Sequence, residues 1–274
     1  MTQKQIILNI DLDMGLKSVA QAFTELASIK LERIRNSIEK NRLFFEEISG
    51  LFEAVAELAN KKRVVPKLEK KGTAAIILTS NSRFYGGLER RLMQFYQQTI
   101  SKLNTEQIII GLSAANFFQK PGLILKSDLP SDTELTSLTD TIKHYSRVLV
   151  FYPRFQSVLL QTPFIVDLTE SGTITIAIAK KPTKFPIDYI LEPELTKMWQ
   201  FFDSQILKLL LEQTFLEAEL ARTAARLTSM DQAQDNADHA IIELKKALAE
   251  AKRSINNSRI LETESAIFRF RRHI

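Results

Sequence analysis

The sequence contains no cysteine and very little histidine. With Cys 0, the chain can form no disulfide, no thiol nucleophile and no Cys-ligated zinc site. The 3 histidines, His144, His239 and His273, are too scattered in sequence to suggest a metal centre. We therefore expect no metal ion and no cofactor.

Long apolar runs and a strong excess of charge are also missing. No apolar run reaches the roughly 18 residues of a transmembrane helix, and the N-terminal residues do not have the pattern of a secretory signal. The net charge is +5, and the single basic cluster, 269–273, is too short to form a nucleic-acid surface. We expect a soluble intracellular protein that neither inserts into a membrane nor binds nucleic acid.

Glycine and proline are scarce, and their positions divide the chain. There are 8 of each; all the prolines and six of the glycines lie between Pro66 and Pro193. The 81 residues after Pro193 contain neither. Because these residues interrupt helices, the sequence predicts three regions: an N-terminal helix over 1–65, a central domain over 66–193 and a C-terminal helix over 194–274.

Both flanks carry apolar residues at alternating steps of three and four, the spacing of the buried side of a helix. In the last flank this spacing holds from Leu195 to Ile255, over about nine heptads. In the first flank a one-residue slip separates an early stripe from a later one over 27–59. The early stripe consists of Leu12, Leu16, Val19, Phe23 and Leu26.

An apolar stripe of this length needs a partner along the whole helix. A helix of about 70 residues spans on the order of 100 Å, so much of it must extend beyond a globule of this mass. We expect the flanks to pair with each other as a long antiparallel coiled coil. A homodimeric coiled coil or a helical bundle fits the same pattern; the central domain favours the hairpin because it returns the chain to the end of the first helix.

The central region alternates strand and helix patterns, which predicts an α/β domain. We expect a mainly parallel, twisted sheet that is covered by helices and ends in an antiparallel edge. Ser131 and Glu134 have the spacing of a capping box. The predicted strands are 73–79, 107–112, 123–125, 147–151, 164–168 and 173–179, and the predicted helices are 88–103, 113–120 and 131–145.

The turn Ser80–Gly87 is the one candidate for small-ligand chemistry. It joins a strand to a helix, a place where phosphate can bind, but it has neither the P-loop nor the dinucleotide motif. A tight turn that requires glycine explains it better, and Glu89 to Arg91 are expected on a solvated helix face. A small α/β enzyme using this turn, with the helices as a dimerisation arm, is one alternative function. A coiled-coil scaffold is another.

Five stretches in order along the chain resemble the γ subunit of F-type ATP synthases. The family combines an N-terminal helix, a Rossmann-like middle and a long C-terminal helix. Unlike the family, Ile6–Asp13 is apolar and acidic, and Ile260 stands where the family has glutamine. The opening at Leu16 is similar to γ subunits of the alternate, N-type ATPase operons, so a divergent member is expected. The matching stretches are 16–33, 78–88, 151–163, 188–193 and 221–237.

The resemblance implies a non-catalytic rotor shaft that couples ion flow through the membrane ring to ATP synthesis or hydrolysis. Its expected partners are the α and β subunits, the ε subunit and the membrane c-ring. The expected location is the cytoplasmic face of a bacterial plasma membrane, with an organellar inner membrane as the less favoured alternative. Phe23 and Arg259 would then contact the β subunits, with Arg259 as a charged catch. Tyr189 and Glu192 would lie near the membrane ring.

Overall fold

The computed structural model describes residues 2–61, 71–101, 103–169 and 195–271. Two long helices, α1 (Gln3–Lys61) and α5 (Leu195–Arg271), flank an α/β region. The elements between them are β1 (Lys71–Leu78), α2 (Leu88–Ile100), β2 (Thr105–Ile110), α3 (Leu112–Phe118), α4 (Asp132–Ile142), β3 (Tyr145–Phe155) and β4 (Gln161–Asp167).

The four strands form one sheet in the order β2-β1-β3-β4. β1 runs parallel to β2 and β3, whereas β4 pairs antiparallel with β3. The mainly parallel sheet with an antiparallel edge is confirmed. The predicted strand 123–125 is wrong: Leu123 makes a single bridge to Ile110, and the Leu125 carbonyl accepts a hydrogen bond from the Asn81 side chain instead. The predicted strand 173–179 lies outside the described residues.

Side chains of β1 alternate between two buried layers, as a strand covered on both faces requires. Ala74, Ile76 and Leu78 pack with α4 and α5 on one face of the sheet. Ala75 and Ile77 pack with α2 and α3 on the other face. The capping box of α4 is confirmed, because Ser131 and Glu134 each bond the backbone of the other.

The chain divides into two compact units, which we describe separately. Unit 1 comprises Met1–Leu26 and Leu227–Ile274, and unit 2 comprises Ala27–Arg226. The predicted boundaries near residues 65 and 193 fall at segments outside the described residues, and they stay predictions. No helix in the described part of the chain is long and apolar enough to cross a membrane.

In unit 1 the two long helices run antiparallel. The Lys17 ammonium lies 2.6 Å from the Asp238 carboxylate, and further along α1 the Gln234 amide donates to the Thr24 hydroxyl at 3.0 Å. Higher residue numbers on α1 therefore face lower numbers on α5. In unit 2 the same orientation brings α1 against the middle of α5. The packed residues there are Leu31, Ile34, Leu216, Leu220 and Ala224.

The predicted contact stripe at the start of α1 is wrong. Leu12, Leu16, Val19 and Leu26 are exposed, and Phe23 is half-buried. The buried side instead continues the later stripe backward without a slip, in steps of three and four. It consists of the buried Ile6, Ile10 and Ala20 and the half-buried Asp13, Lys17 and Thr24.

Candidate functional site

Two of the four residues predicted to contact partners, Phe23 and Arg259, lie in the described part of the chain. Phe23 is half-buried on α1, and Arg259 is fully on the surface of α5, where its carbonyl accepts a hydrogen bond from Thr263. Tyr189 and Glu192 lie outside the described residues. Their predicted roles are not tested by the fold and stay predictions.

Unit 1 exposes an apolar surface on α1, which we call the α1 stripe. Its side chains are 55 to 64 % exposed. Their spacing places them on one side of the helix, and contiguous exposed apolar surface of this kind marks an interaction site. The α1 stripe consists of Leu8, Leu12, Leu16, Val19 and Leu26.

The last part of α5 is a second exposed surface in unit 1. Every residue from Lys252 to Ser265 is exposed, including the large apolar Ile260 and Leu261. Most helical stability in proteins comes from packing an apolar face. This segment and the α1 stripe therefore both present apolar side chains to a partner surface.

Unit 2 contains a buried ionic cluster at the point where α5 meets the α/β domain. Glu219 and Arg222 are 0 % and 1 % exposed, and two guanidinium nitrogens of Arg222 lie 2.9 Å from the same Glu219 oxygen. On the α1 side, the Lys30 ammonium forms an ion pair with the other Glu219 oxygen. Glu219 thus joins the two long helices.

The loop before α4 and the turn before α2 complete this cluster. The Arg226 guanidinium lies over the Tyr85 ring, 4.5 Å from its centroid, and donates to the Tyr85 hydroxyl at 2.7 Å. That hydroxyl donates to the Asp128 carboxylate at 3.4 Å, and Lys30 lies 3.9 Å from the same carboxylate. We call this set the junction cluster: Lys30, Tyr85, Asp128, Glu219, Arg222 and Arg226.

Burial and charge in the junction cluster shift the ionisation of its members. Burial raises the pKa of Tyr85 to about 12, with the Glu219 and Asp128 carboxylates acting in the same direction. Burial alone would lower the pKa of Arg222, but the nearby carboxylates, Glu219 first, outweigh it and the pKa is raised. Arg222 therefore stays charged inside the protein.

A buried ion pair of this kind contributes little net stability. Removing both charges from water costs several kcal/mol per ion, which their attraction only repays when the geometry is good. Breaking such a pair by removing one partner is strongly destabilising, by about 3–5 kcal/mol. The junction cluster therefore adds little to the stability of the native fold, but any arrangement that leaves one of its buried charges without a partner is strongly destabilised.

The turn Ser80–Gly87 is not an anion site. Its backbone amides already face carboxylates: Ser80 N–H donates to Glu89 at 2.8 Å, and Asn81 N–H donates to Asp128 at 3.3 Å. A bound phosphate would meet two negative charges there. Gly86 has φ +57°, as the tight-turn interpretation requires. The expectation of a solvated Glu89 is wrong, because Glu89 is buried.

The described residues, 2–61, 71–101, 103–169 and 195–271, contain no candidate metal site. No group of three or more His, Asp or Glu side chains there could hold a metal ion.

Comparison with known proteins identifies the family. The family model described as "ATP synthase" matches residues 5–257, which is most of the chain. The chain belongs to the ATP synthase γ-chain family.

Curated ATP synthase γ chains match over most of their length. The γ chain of Nitrosomonas eutropha is 24% identical over 251 residues, covering 83% of this chain and 85% of the relative. The γ chain of Staphylococcus saprophyticus is 24% identical over 260 residues, covering 88% and 89%.

Solved mitochondrial ATP synthases share the fold. A chain in the structure of the Euglena gracilis OSCP/F1/c-ring assembly matches with a TM-score of 0.61 at 16% identity, covering 96% of this chain and 94% of that one. A chain of the Tetrahymena thermophila central stalk/c-ring structure matches with a TM-score of 0.58 at 13% identity, covering 78% and 99%. At these low identities, the similarity to solved structures supports the fold of this γ chain and nothing about its function.

Sequence reasoning missed the junction cluster of this γ chain. Charged residues on a long helix are usually solvated, so periodicity alone does not place Glu219 and Arg222 in the interior. The available signal was the run 218–225, in which four of eight residues are alanine. Small residues on all sides of a helix allow close packing all round, and every residue of this run is buried.

Proposed function

We propose that this γ chain is the central rotor shaft of an F-type ATP synthase. It would turn inside a ring of alternating α and β subunits, with the ε subunit and the membrane c-ring at its foot. The observation that carries the proposal is the arrangement of unit 1. There an antiparallel helix pair leaves the α1 stripe and the end of α5 uncovered.

The mechanism follows from the asymmetry of this surface. The α1 stripe is apolar and lies on one side of α1, so the shaft presents a different face to each β subunit at every rotational angle. A surface that binds one conformation of a subunit better than another shifts its population by that difference in contact energy. Rotation would thereby change nucleotide affinity in each β subunit in turn.

Four residues carry the expected contacts. Phe23 and Arg259 would face the β subunits, and the exposure of Arg259 leaves its guanidinium accessible to a carboxylate of the ring. Tyr189 and Glu192 would lie near the membrane ring. The γ chain itself would bind no nucleotide and carry out no bond chemistry, which belongs to the β subunits.

The wider setting of the proposal is a complex bound peripherally to a membrane. We place it on the cytoplasmic face of a bacterial plasma membrane, with protons or sodium ions as the coupling ion. The similarity at Leu16 favours the N-type group of ATPases.

Purification of the tagged chain from its native host in mild detergent tests this function. We expect α and β subunits to co-purify with ATPase activity, and Arg259→Ala to weaken that activity. Arg253→Ala, also exposed on α5, is the matched control and should leave activity unchanged. Recovery of the ring with a harmless Arg259→Ala would reject the residue role and keep the shaft. A lone chain or dimer without ring subunits would favour a coiled-coil scaffold instead.

A further inference from the structure

A short segment of α5 in unit 2, residues 218–225, is buried on all sides. Every residue from Ala218 to Ala225 is buried, and Ala218, Ala221 and Ala224 are fully inaccessible. Alanine side chains allow close approach but form a nearly smooth surface. Apolar contact is also non-directional. Packing of this alanine-rich segment therefore sets the rotation and axial position of α5 less sharply than directional polar contacts do.

The polar contacts of this part of α5 reach α1 and the turn before α2 directly, and through these partners they reach the loop before α4. Glu219 binds Lys30 on α1, and Arg226 binds the carbonyl of Arg83 and the hydroxyl of Tyr85 in the turn before α2. Lys30 and Tyr85 both reach Asp128 in the loop before α4. The contacts thus link α5 to α1 and to two separate parts of the α/β domain.

Such contacts define one position of the helix. A shift of α5 by one turn moves its side chains by about 5.4 Å. That movement takes Glu219 away from Lys30 on α1, and it takes Arg226 away from the Tyr85 hydroxyl, which is 2.7 Å away in the native position. Glu219 and Arg222 travel together on α5, so the contacts that are lost are those to Lys30, Tyr85 and Asp128. A shifted helix would bury the Glu219–Arg222 pair without its outside partners.

We propose that the junction cluster fixes the rotational and axial position of the two long helices on the α/β domain. The cluster would prevent slip when torque passes between the domain and the shaft. This inference rests on the proposed function for its role in torque. The fixed position itself is a property of the free chain.

Spin-label distances in the full chain test the fixed position directly. Because the sequence has no cysteine, labels attach only at introduced sites, Gln98→Cys on α2 and Asp203→Cys on α5, both exposed. We expect one narrow distance in the parent chain. The apolar variant Lys30→Met/Glu219→Met/Arg222→Met should broaden the distribution or add a second distance.

A matched control removes an ion pair between the same two parts of unit 2. Lys208 on α5 lies 2.6 Å from Asp132 of α4, but Asp132 is largely exposed. Lys208→Met/Asp132→Asn should keep the narrow distance. A folded triple variant with the parent distance would overturn the proposal. If the triple variant does not fold, Lys30→Met replaces it. An unchanged narrow distance in that variant would also overturn the proposal.

The assembled complex tests the role in torque. With the triple variant, we expect the ring to assemble and to hydrolyse ATP. If the shifted and native positions of α5 are about equally populated, the number of ions pumped per ATP should fall to about half or less. Unchanged pumping would overturn this role. Failure of the parent chain to assemble would instead reject the proposed function and leave the distance result standing.

Discussion

At the residue scale, Glu219 and Arg222 show how a buried charge depends on its partner. In Arg222→Met, the fully buried Glu219 loses the guanidinium that contacts it at 2.9 Å and keeps only its ion pair with the half-buried Lys30. We expect a loss of about 3–5 kcal/mol in the free energy of unfolding. Urea denaturation followed by circular dichroism measures it.

The double variant Glu219→Met/Arg222→Met shows how much of this loss comes from leaving one buried charge without its partner. It removes both charges, so it should recover most of the loss. Lys143→Met, which removes a surface pair with Asp140, should change stability by about 0–1 kcal/mol. A loss for Arg222→Met no larger than that of Lys143→Met would show that the pair is not buried in solution.

Glu217 gives the protein a specific pH dependence. Burial raises the pKa of its carboxyl, although the Tyr152 hydroxyl, 2.9 Å away, and Arg154 act to lower it. The folded state therefore holds this proton more tightly than the unfolded state, so the contribution is full at low pH and is lost as pH rises through the folded pKa.

Comparison with Glu217→Gln isolates this contribution. The glutamine variant should become more stable relative to the parent as pH rises from the normal glutamate range toward neutrality. Thermal unfolding of both proteins across that range measures the difference. A difference that is constant with pH, or that changes in the opposite direction, would contradict the raised pKa.

At the scale of elements, the start of α1 shows that apolar residues on a helix are not always the buried ones. Ile10 is 7 % exposed and Leu12 is 58 % exposed, although the sequence pattern had favoured Leu12 as the contact residue. Ile10→Ala should therefore cost about 2–5 kcal/mol, whereas Leu12→Ala should stay within about 0.5 kcal/mol. Chemical unfolding of the two variants compares them. The reverse order would restore the stripe predicted from sequence.

The fold was predictable where helix and strand periods are strong. The α/β core, the capping box at Ser131 and the contact stripe of α5 from Ile206 to Ile241 follow from spacing alone. The start of α1 was not predictable in this way, because its buried side contains Lys17 and Thr24 while its exposed side contains leucines. Polar partners on α5 and the absence of a slip decide that arrangement.

The functional surfaces were only partly predictable. The resemblance to a rotor subunit came from motifs spread along the chain, and family membership is now established. The junction cluster could not be found from periodicity, since it joins α1, α5 and two loops that are far apart in sequence. Charge alone does not distinguish a buried pair from a solvated one.

At the scale of the whole molecule, the two units have different proposed roles. Unit 1 offers the α1 stripe and the exposed end of α5 to a partner. In unit 2 the junction cluster holds the helices and the α/β domain in one position. A rotor shaft requires both properties. Torque is transmitted only if unit 1 contacts its partner subunits and the helices do not shift against the α/β domain in unit 2.

Single-molecule rotation tests the shaft most directly. The chain would be assembled with its α and β subunits fixed to a surface, and a bead attached through Gln98→Cys, the only cysteine of the γ chain. We expect stepwise rotation of the bead in one direction when ATP is added. A bead that stays still while the same complexes hydrolyse ATP would contradict it.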